Sequence, residues 1–298
     1  MPWRRTSPRR LRSVIELRIG GVPEHFNLPW HLALVEGRFA RDGVDVVWRD
    51  HAGGSGAMAK ALRNGELDAA LLLTEGAVAA VTDGVALDIV SLYTDSPLVW
   101  GIHVPAASHL RAVDDLAGAR YAISRMGSGS HLMAFVHART QGWPVDGLTL
   151  VTVGNLDGAV AAFEAGTADV FFWEKLMTKP LVDAGRFRRV GEFTAPWPAF
   201  VMCAARSLGA EQRVALGRAV GIALDAARRL RARPDAAQLI ATRYELRADD
   251  VTEWLGTVRW SERVGVAASD VAPACMALGS LGVLPRVVDA AECIAVSG

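Results

Sequence analysis

Two short glycine-serine turns in this sequence, Gly53-Gly54-Ser55-Gly56 and Ser128-Gly129-Ser130, each precede a stretch patterned as a helix. Unpaired backbone N–H groups at a helix start, together with the helix dipole, attract a negative or electron-rich group. Glycine lets that group approach the main chain closely. Gly54, Ser55 and Gly56 from one turn, and Ser128, Gly129 and Ser130 from the other, are therefore candidate ligand donors. Serine also caps helices where no ligand binds, and that reading competes at both turns.

Three further clusters carry side chains suited to a small polar ligand. His25 and Asn27, flanking Phe26, offer hydrogen-bonding edges beside an apolar wall. Thr74-Glu75 and Trp173-Glu174 each follow an apolar run that reads as a strand. Trp173 presents a flat stacking face, and the two carboxylates can accept hydrogen bonds from an amino group or a protonated ring nitrogen. A plain salt bridge from Lys175 or Lys179 to Glu174 is the competing account. Trp100 and Trp197-Pro198 are either walls of the same site or packing. Anion-friendly helix starts combined with two carboxylates and an aromatic face suit a zwitterion or an aminated heterocycle better than a bare sulfonate.

Other chemistries lack their signatures. His131 and His137 are six residues apart on one expected helix, hence on different faces, and no His-Glu-x-x-His occurs. Neither Gly-x-Ser-x-Gly nor Gly-x-x-x-x-Gly-Lys-Ser/Thr is present. Cys203, Cys275 and Cys293 are odd in number and widely spaced, which fits neither a disulfide framework nor a zinc site. Buried thiols acting as small hydrophobes are expected, with no metal and no cofactor.

The elements that must position the clusters come twice. An apolar run at residues 17–20 is followed by a helix over 29–41, a strand over 44–48, a helix over 57–63 and a buried strand over 68–73. About a hundred residues later the order returns: strand 121–124, helix 131–140, strand 148–153, helix 157–165 and strand 169–173. Gly53, Gly65 and Asp68 match Gly154, Gly166 and Asp169 at one constant offset, and each copy ends in an acidic residue expected in a loop, Glu75 or Glu174. Strand-helix alternation of this kind implies parallel sheets covered on both faces and joined by right-handed crossovers. Ligands then bind beyond the carboxyl ends of the strands, where the clusters lie.

The expected fold is α/β, two Rossmann-like lobes facing one cleft. Extended runs at 99–104 and 199–204 are the expected hinge strands. One lobe would hold residues 14–103 plus 205–298, the other 104–204, and the tail is expected to be mainly helical. Residues 1–13 read as a disordered basic segment.

Composition agrees with a folded chain of about two domains: 298 residues, 51% hydrophobic and 21% charged. Basic and acidic residues number 32 each, but five arginines stand in the first dozen positions, leaving 27 against 32 elsewhere. A mildly acidic body lacks the clustered cations that nucleic acid binding requires. The basic start is followed by Ser13-Val14-Ile15-Glu16-Leu17-Arg18 and not by the apolar stretch of an export signal, and no run is long enough to span a membrane. As it stands the sequence reads as cytoplasmic, and as periplasmic or membrane-associated if the true start lies elsewhere.

Taken together, the duplicated units, the two crossovers and the helical tail resemble the type II periplasmic-binding-protein fold, from about residue 14 to 284. Gly53-Gly54-Ser55-Gly56, the segment Ser124-Arg125-Met126-Gly127-Ser128-Gly129-Ser130-His131, and Trp173-Glu174-Lys175-Leu176-Met177-Thr178-Lys179-Pro180 narrow this. They resemble the branch of aliphatic-sulfonate, nitrate and taurine binding proteins and thiamine-pyrimidine precursor synthases, with its signal-less members. The last two segments resemble a subgroup whose prototype is a fungal protein of unknown ligand. The resemblance implies a solute-binding protein that closes on a small molecule, with an ABC permease as a candidate partner. The alternative is a cytoplasmic enzyme using the same cleft, of the menaquinone- or thiamine-precursor type, with His25, Glu75 or Glu174 as acid-base groups. Fungal precursor synthases carry a cysteine-rich iron motif, and this chain has no two cysteines close together.

Overall fold

The computed structural model describes residues 14–282 and 284–295, so the basic N-terminal segment lies outside the described residues. Strand β1 (Ile15–Gly21) leads through a 3-10 turn (His25–Asn27) to α1 (Leu28–Val35) and α2 (Arg38–Arg41). Then come β2 (Val44–Asp50), α3 (Gly54–Arg63), β3 (Ala69–Leu73), α4 (Thr74–Thr82) and the long β4 (Leu87–Pro105). The second unit is β5 (Arg120–Ile123), α5 (Gly129–Thr140), β6 (Thr149–Thr152), α6 (Leu156–Glu164), β7 (Val170–Glu174), α7 (Lys179–Asp183) and the long β8 (Phe187–Ala205). The tail holds α8 (Ala210–Ala232), α9 (Ala236–Tyr244), α10 (Ala248–Thr257), α11 (Ala268–Leu281) and α12 (Ala290–Cys293).

The eight strands among the described residues form one sheet in the order β2-β1-β3-β8-β4-β7-β5-β6. β1 pairs parallel with β2 and β3 in one half, and β5 pairs parallel with β6 and β7 in the other. β4 and β8 run antiparallel through the middle and belong to both halves: residues 200–204 of β8 pair with β3, and residues 100–103 of β4 pair with β7. Each is 19 residues long, so the extended runs read from the sequence are only their ends. Proline hid the rest. Pro97 faces Pro198 where the strands cross between the halves, and the register shifts on both sides of Pro97. Proline has no N–H for the ladder, so the pairing is weakest at that crossing.

Two other expectations change. The helix over 29–41 breaks at Gly37, whose φ of 64° is left-handed and which splits it into α1 and α2. Glu75 lies not in a loop but in the first turn of α4, where a carboxylate suits the helix dipole.

A matched ion pair stiffens each copy. Asp68 accepts the Arg18 backbone N–H at 2.8 Å and its Nε and Nη2 at 3.0 and 2.7 Å. Asp169 accepts the same three donors from Arg120 at 2.9, 2.8 and 2.7 Å. Each bidentate fork ties the strand that opens a unit to the loop entering the strand that closes it. The core is rich in alanine and falls into a large cluster, with Leu17, Ile19, Trp30, Leu71, Tyr93 and Ile102 fully buried, and a smaller one around Phe163, Phe171 and Phe187 in the second unit. Cys203, Cys275 and Cys293 are free and buried. Among the described residues no helix is long and apolar enough to cross a membrane.

Candidate functional site

Three helix starts converge on one cleft of about 270 Å³ between the two half-sheets. Gly53, Gly54 and Ser55 open α3, Ser128, Gly129 and Ser130 open α5, and Asn155, Leu156 and Asp157 open α6. Leu73, Leu98, Trp100, Trp173 and Phe200 give apolar walls, and Glu24, Arg125, Asp157 and Glu174 supply the ionisable groups.

The serines do more than cap. The Ser128 hydroxyl accepts the His131 N–H at 3.3 Å, as an N-cap does, and lies 3.1 Å from the Ser130 hydroxyl. Ser130 in turn accepts the Ser124 N–H at 2.9 Å, which fixes the end of β5 to the first turn of α5. Ser55 accepts the Leu73 N–H at 2.9 Å. Each turn is thus braced by its own hydroxyls, leaving helix-start amides at the cleft. Gly129 is required by space: a β-carbon there would stand 2.5 Å from Leu73 Cδ1 and 2.8 Å from the Trp100 ring.

Arg125 is the side chain the sequence reading passed over. Its guanidinium lies over the α3 turn, with Nη1 3.4 Å and Nη2 3.7 Å from where β-carbons on Gly53 and Gly54 would be. Its Nε and Nη2 are buried and have no acceptor. Burial lowers its pKa from the usual arginine value. A cation without an acceptor, held at the positive ends of helices, is a costly arrangement that an anion placed there would relieve. The residue stands inside the quoted Ser124 to His131 segment, so the signal was present and unread.

Opposite stand two carboxyls. Glu174 ends β7 and its Oε2 accepts the Met177 N–H at 2.7 Å. Burial pushes its pKa up to about 8, with the Met177 N–H opposing and neighbouring Glu24 reinforcing the rise. Glu24 is itself pushed up to about 7 by burial. Near pH 7 Glu174 is mostly a neutral donor and Glu24 is about half protonated, unless a cation joins them. Trp173 is half-buried, stacked on Phe171 at 5.1 Å and 20°, and shows its remaining surface to the cleft.

The other expected residues lie behind these walls. His25 is fully buried, both ring nitrogens lack partners, and Nε2 stands 4.0 Å from Glu174 Oε2, too far for a hydrogen bond. Burial lowers its pKa to about 3, so the ring is neutral. Asn27 donates to the Val22 carbonyl at 2.7 Å and closes its own loop. Thr74 donates to the Pro198 carbonyl at 2.6 Å, fixing α4 to β8. Glu75 accepts the Trp197 indole N–H at 2.8 Å, and burial pushes it up to about 7. Gly56 lies under Arg125 without facing the cleft. Lys175 and Lys179 pair with Glu192, Glu253, Asp183 and Asp250, and neither pairs with Glu174. His131 accepts the Gly127 N–H at 3.2 Å. Among the described residues no group of three or more His, Cys, Asp or Glu side chains is placed to hold a metal ion.

Comparison with known proteins agrees with the architecture. A family model described as Ca3427-like PBP matches residues 100–193. The Candida albicans CA3427 gene product, which defines a family with the generic periplasmic binding protein fold, is 22% identical with a TM-score of 0.85 over 95% of this chain and 98% of its own. The alkanesulfonate-binding protein SsuA from Xanthomonas axonopodis pv. citri, bound to MOPS, is 20% identical with a TM-score of 0.76 over 95% and 99%. The periplasmic aliphatic sulphonate binding protein SsuA from Escherichia coli is 21% identical with a TM-score of 0.72 over 95% and 92%. No curated protein matches the chain. The chain has the periplasmic-binding-protein fold, as its repeats led one to expect.

Proposed function

We propose that this protein captures a small polar solute whose anionic group sits on Arg125 and the starts of α3, α5 and α6, and whose amino or ring N–H group faces Glu24 and Glu174. The observation that carries this reading is the acceptor-less Arg125 guanidinium facing two raised carboxyls across a cleft of about 270 Å³. A zwitterion or aminated heterocycle with an acidic substituent supplies both missing partners. The sulfonates bound by structurally similar proteins supply the first.

Closure follows from the crossing strands. On this reading β1 to β3 with the tail helices form one lobe and β5 to β7 the other, and bending is concentrated where Pro97 faces Pro198. Gly129 against Leu73 and Trp100, and Arg125 over Gly56, are contacts of the closed form. Delivery to an ABC permease would place the protein outside the cytoplasm, whereas sensing would not.

One observation favours a second reading, an enzyme. His25 is neutral with two free nitrogens and stands 4.0 Å from a carboxyl that burial keeps protonated, a pairing of titratable side chains that capture alone does not use. Native mass spectrometry of protein from its own host, followed by thermal-shift screening of amino acids, aminopyrimidines and aminosulfonates, separates the two. A ligand recovered unchanged supports capture. Turnover supports the enzyme, and no response from any compound carrying both groups overturns the capture reading.

A further inference from the structure

The segment from Trp173 to Pro180 contains two lysines that the ligand site does not use. Lys175 follows β7 directly and Lys179 opens α7, so both belong to the second unit. Beside the crossing strands they meet α10, which belongs to the tail. Lys175 Nζ lies 3.3 Å from Glu253, and Lys179 Nζ lies 3.7 Å from Asp250. Glu253 and Asp250 are three residues apart and so share one face of α10.

α10 is held firmly to the first unit. Trp254 packs edge-on against His25 at 4.3 Å and against Phe26 at 5.2 Å, in the loop after β1. It also packs on Trp260 at 5.6 Å, whose indole N–H donates to the Phe26 carbonyl at 3.0 Å. The two ion pairs therefore join rigid parts of different lobes. A second cavity of about 350 Å³ between them, also bordered by Glu192, Arg189 and Arg259, keeps them near solvent.

We propose that Lys175–Glu253 and Lys179–Asp250 form an electrostatic clasp across the gap between the two units that sets how readily the lobes close. This rests on the capture reading and adds its regulation. Each lysine has one partner across the gap and one at home: Lys175 has Glu192 at 3.1 Å, and Lys179 has Asp183 at 2.5 Å. On the other side Asp250 has Arg247 at 4.0 Å, the residue just before its own helix. When the lobes part, no lysine is left bare. Arg189 at 3.5 Å competes for Glu192 and frees Lys175 to reach across. Glu253 is 72% exposed, so its pair is weak and screened by salt. A clasp of this kind biases closure without locking it.

The test uses ligand-free full-length protein carrying spin labels at Asn64 and Gln141, one on each lobe and both exposed. Distances are measured by pulsed electron resonance. Raising salt from 0.05 to 1 M is expected to shift population to longer distances. Glu253→Lys and Lys179→Glu each lower the closed-to-open ratio by about two- to five-fold, the scale of one exposed pair. The swaps Lys175→Glu with Glu253→Lys, and Lys179→Glu with Asp250→Lys, restore the parent distribution. Distances indifferent to salt and to the single reversals, or swaps that stay open, overturn the clasp. Because no ligand is present, failure of the capture reading leaves this response unchanged and shows instead as an empty compound screen.

Discussion

Arg125 lies across the glycine turn that opens α3, so that a β-carbon on Gly56 would stand 2.5 Å from its Nε. A cation from the second unit rests on a helix start of the first, and its position depends on a missing methyl group.

Gly56→Ala is therefore expected to displace the guanidinium, because the clashing atom is the end of a flexible side chain and yields before the helix does. Folding stability changes by less than about 1 kcal/mol, while affinity for an anionic ligand found in the screen falls about ten-fold by calorimetry. Arg125→Ala loses about ten- to a hundred-fold, the scale of a charge-assisted hydrogen bond. Arg125→Lys recovers part of it, since the charge remains and the fork does not. Unchanged affinity in Arg125→Ala moves the anion elsewhere.

Glu174→Gln and Trp173→Ala address the opposite end. Each is expected to weaken binding by at least about 1 kcal/mol. Trp173→Ala also lowers the melting temperature, because Trp173 stacks on Phe171 in a buried cluster. Trp173→Phe keeps much of the packing and separates the two effects.

Stability should depend on pH in two limbs. Burial raises Glu24 and Glu75 to about 7 and Glu174 to about 8 from an ordinary 4.5. Between those values the folded chain keeps protons the unfolded chain has lost, so this contribution is full below about pH 4.5 and is lost as pH rises through 7 to 8. Burial lowers His25 to about 3, and His103 and His137 to about 4, from 6.5. Their contribution is full above about pH 6.5 and is lost as pH falls through 4 to 3. The two slopes oppose each other from about 4.5 to 6.5, so ligand-free protein has a plateau there and weakens on both sides. Glu75→Gln, whose amide oxygen can still accept the Trp197 N–H, flattens the alkaline limb. Melting curves that rise from pH 6.5 to 8.5 contradict this.

Gly129→Ala is expected to prop the cleft open, because the added carbon meets Leu73 from the other lobe and the rigid Trp100 ring. Small-angle scattering should show a larger radius of gyration and a smaller contraction on adding ligand. An unchanged radius means that the loop yields instead.

The twin ion pairs rank the lobes. Asp68 is 13% exposed and Asp169 31%, while their arginines are 32% and 42% exposed. The better shielded carboxylate loses more when its charge is removed, so Asp68→Asn lowers the denaturation midpoint more than Asp169→Asn. The reverse order would show that the second pair carries the greater strain on opening.

Much of this was legible before the coordinates. Apolar periodicity and glycine punctuation act over a few residues, so they announced β1 to β3, β5 to β7 and most of the helices, and the spacing from Asp68 to Asp169 announced the repeat. From the repeat came the facing helix starts at Ser55 and Ser130, because parallel strands must release their helices on the same side. Three things depended on contacts across the chain. Prolines 97 and 198 read as breaks in isolation and become a crossing only when paired with each other. His25, Asn27, Thr74 and Glu75 have ligand-binding types, but the packing of Trp254, Val22, Pro198 and Trp197 around them gives them structural partners or buries them. Arg125 stood in the sequence only as one residue of the Ser124 to His131 segment, and only the approach of the two half-sheets left it buried over another helix's start without an acceptor. The sequence alone announced the repeated strands and most of the helices between them. Long-range packing decided which polar groups are left unpaired, and an unpaired group is what a ligand answers.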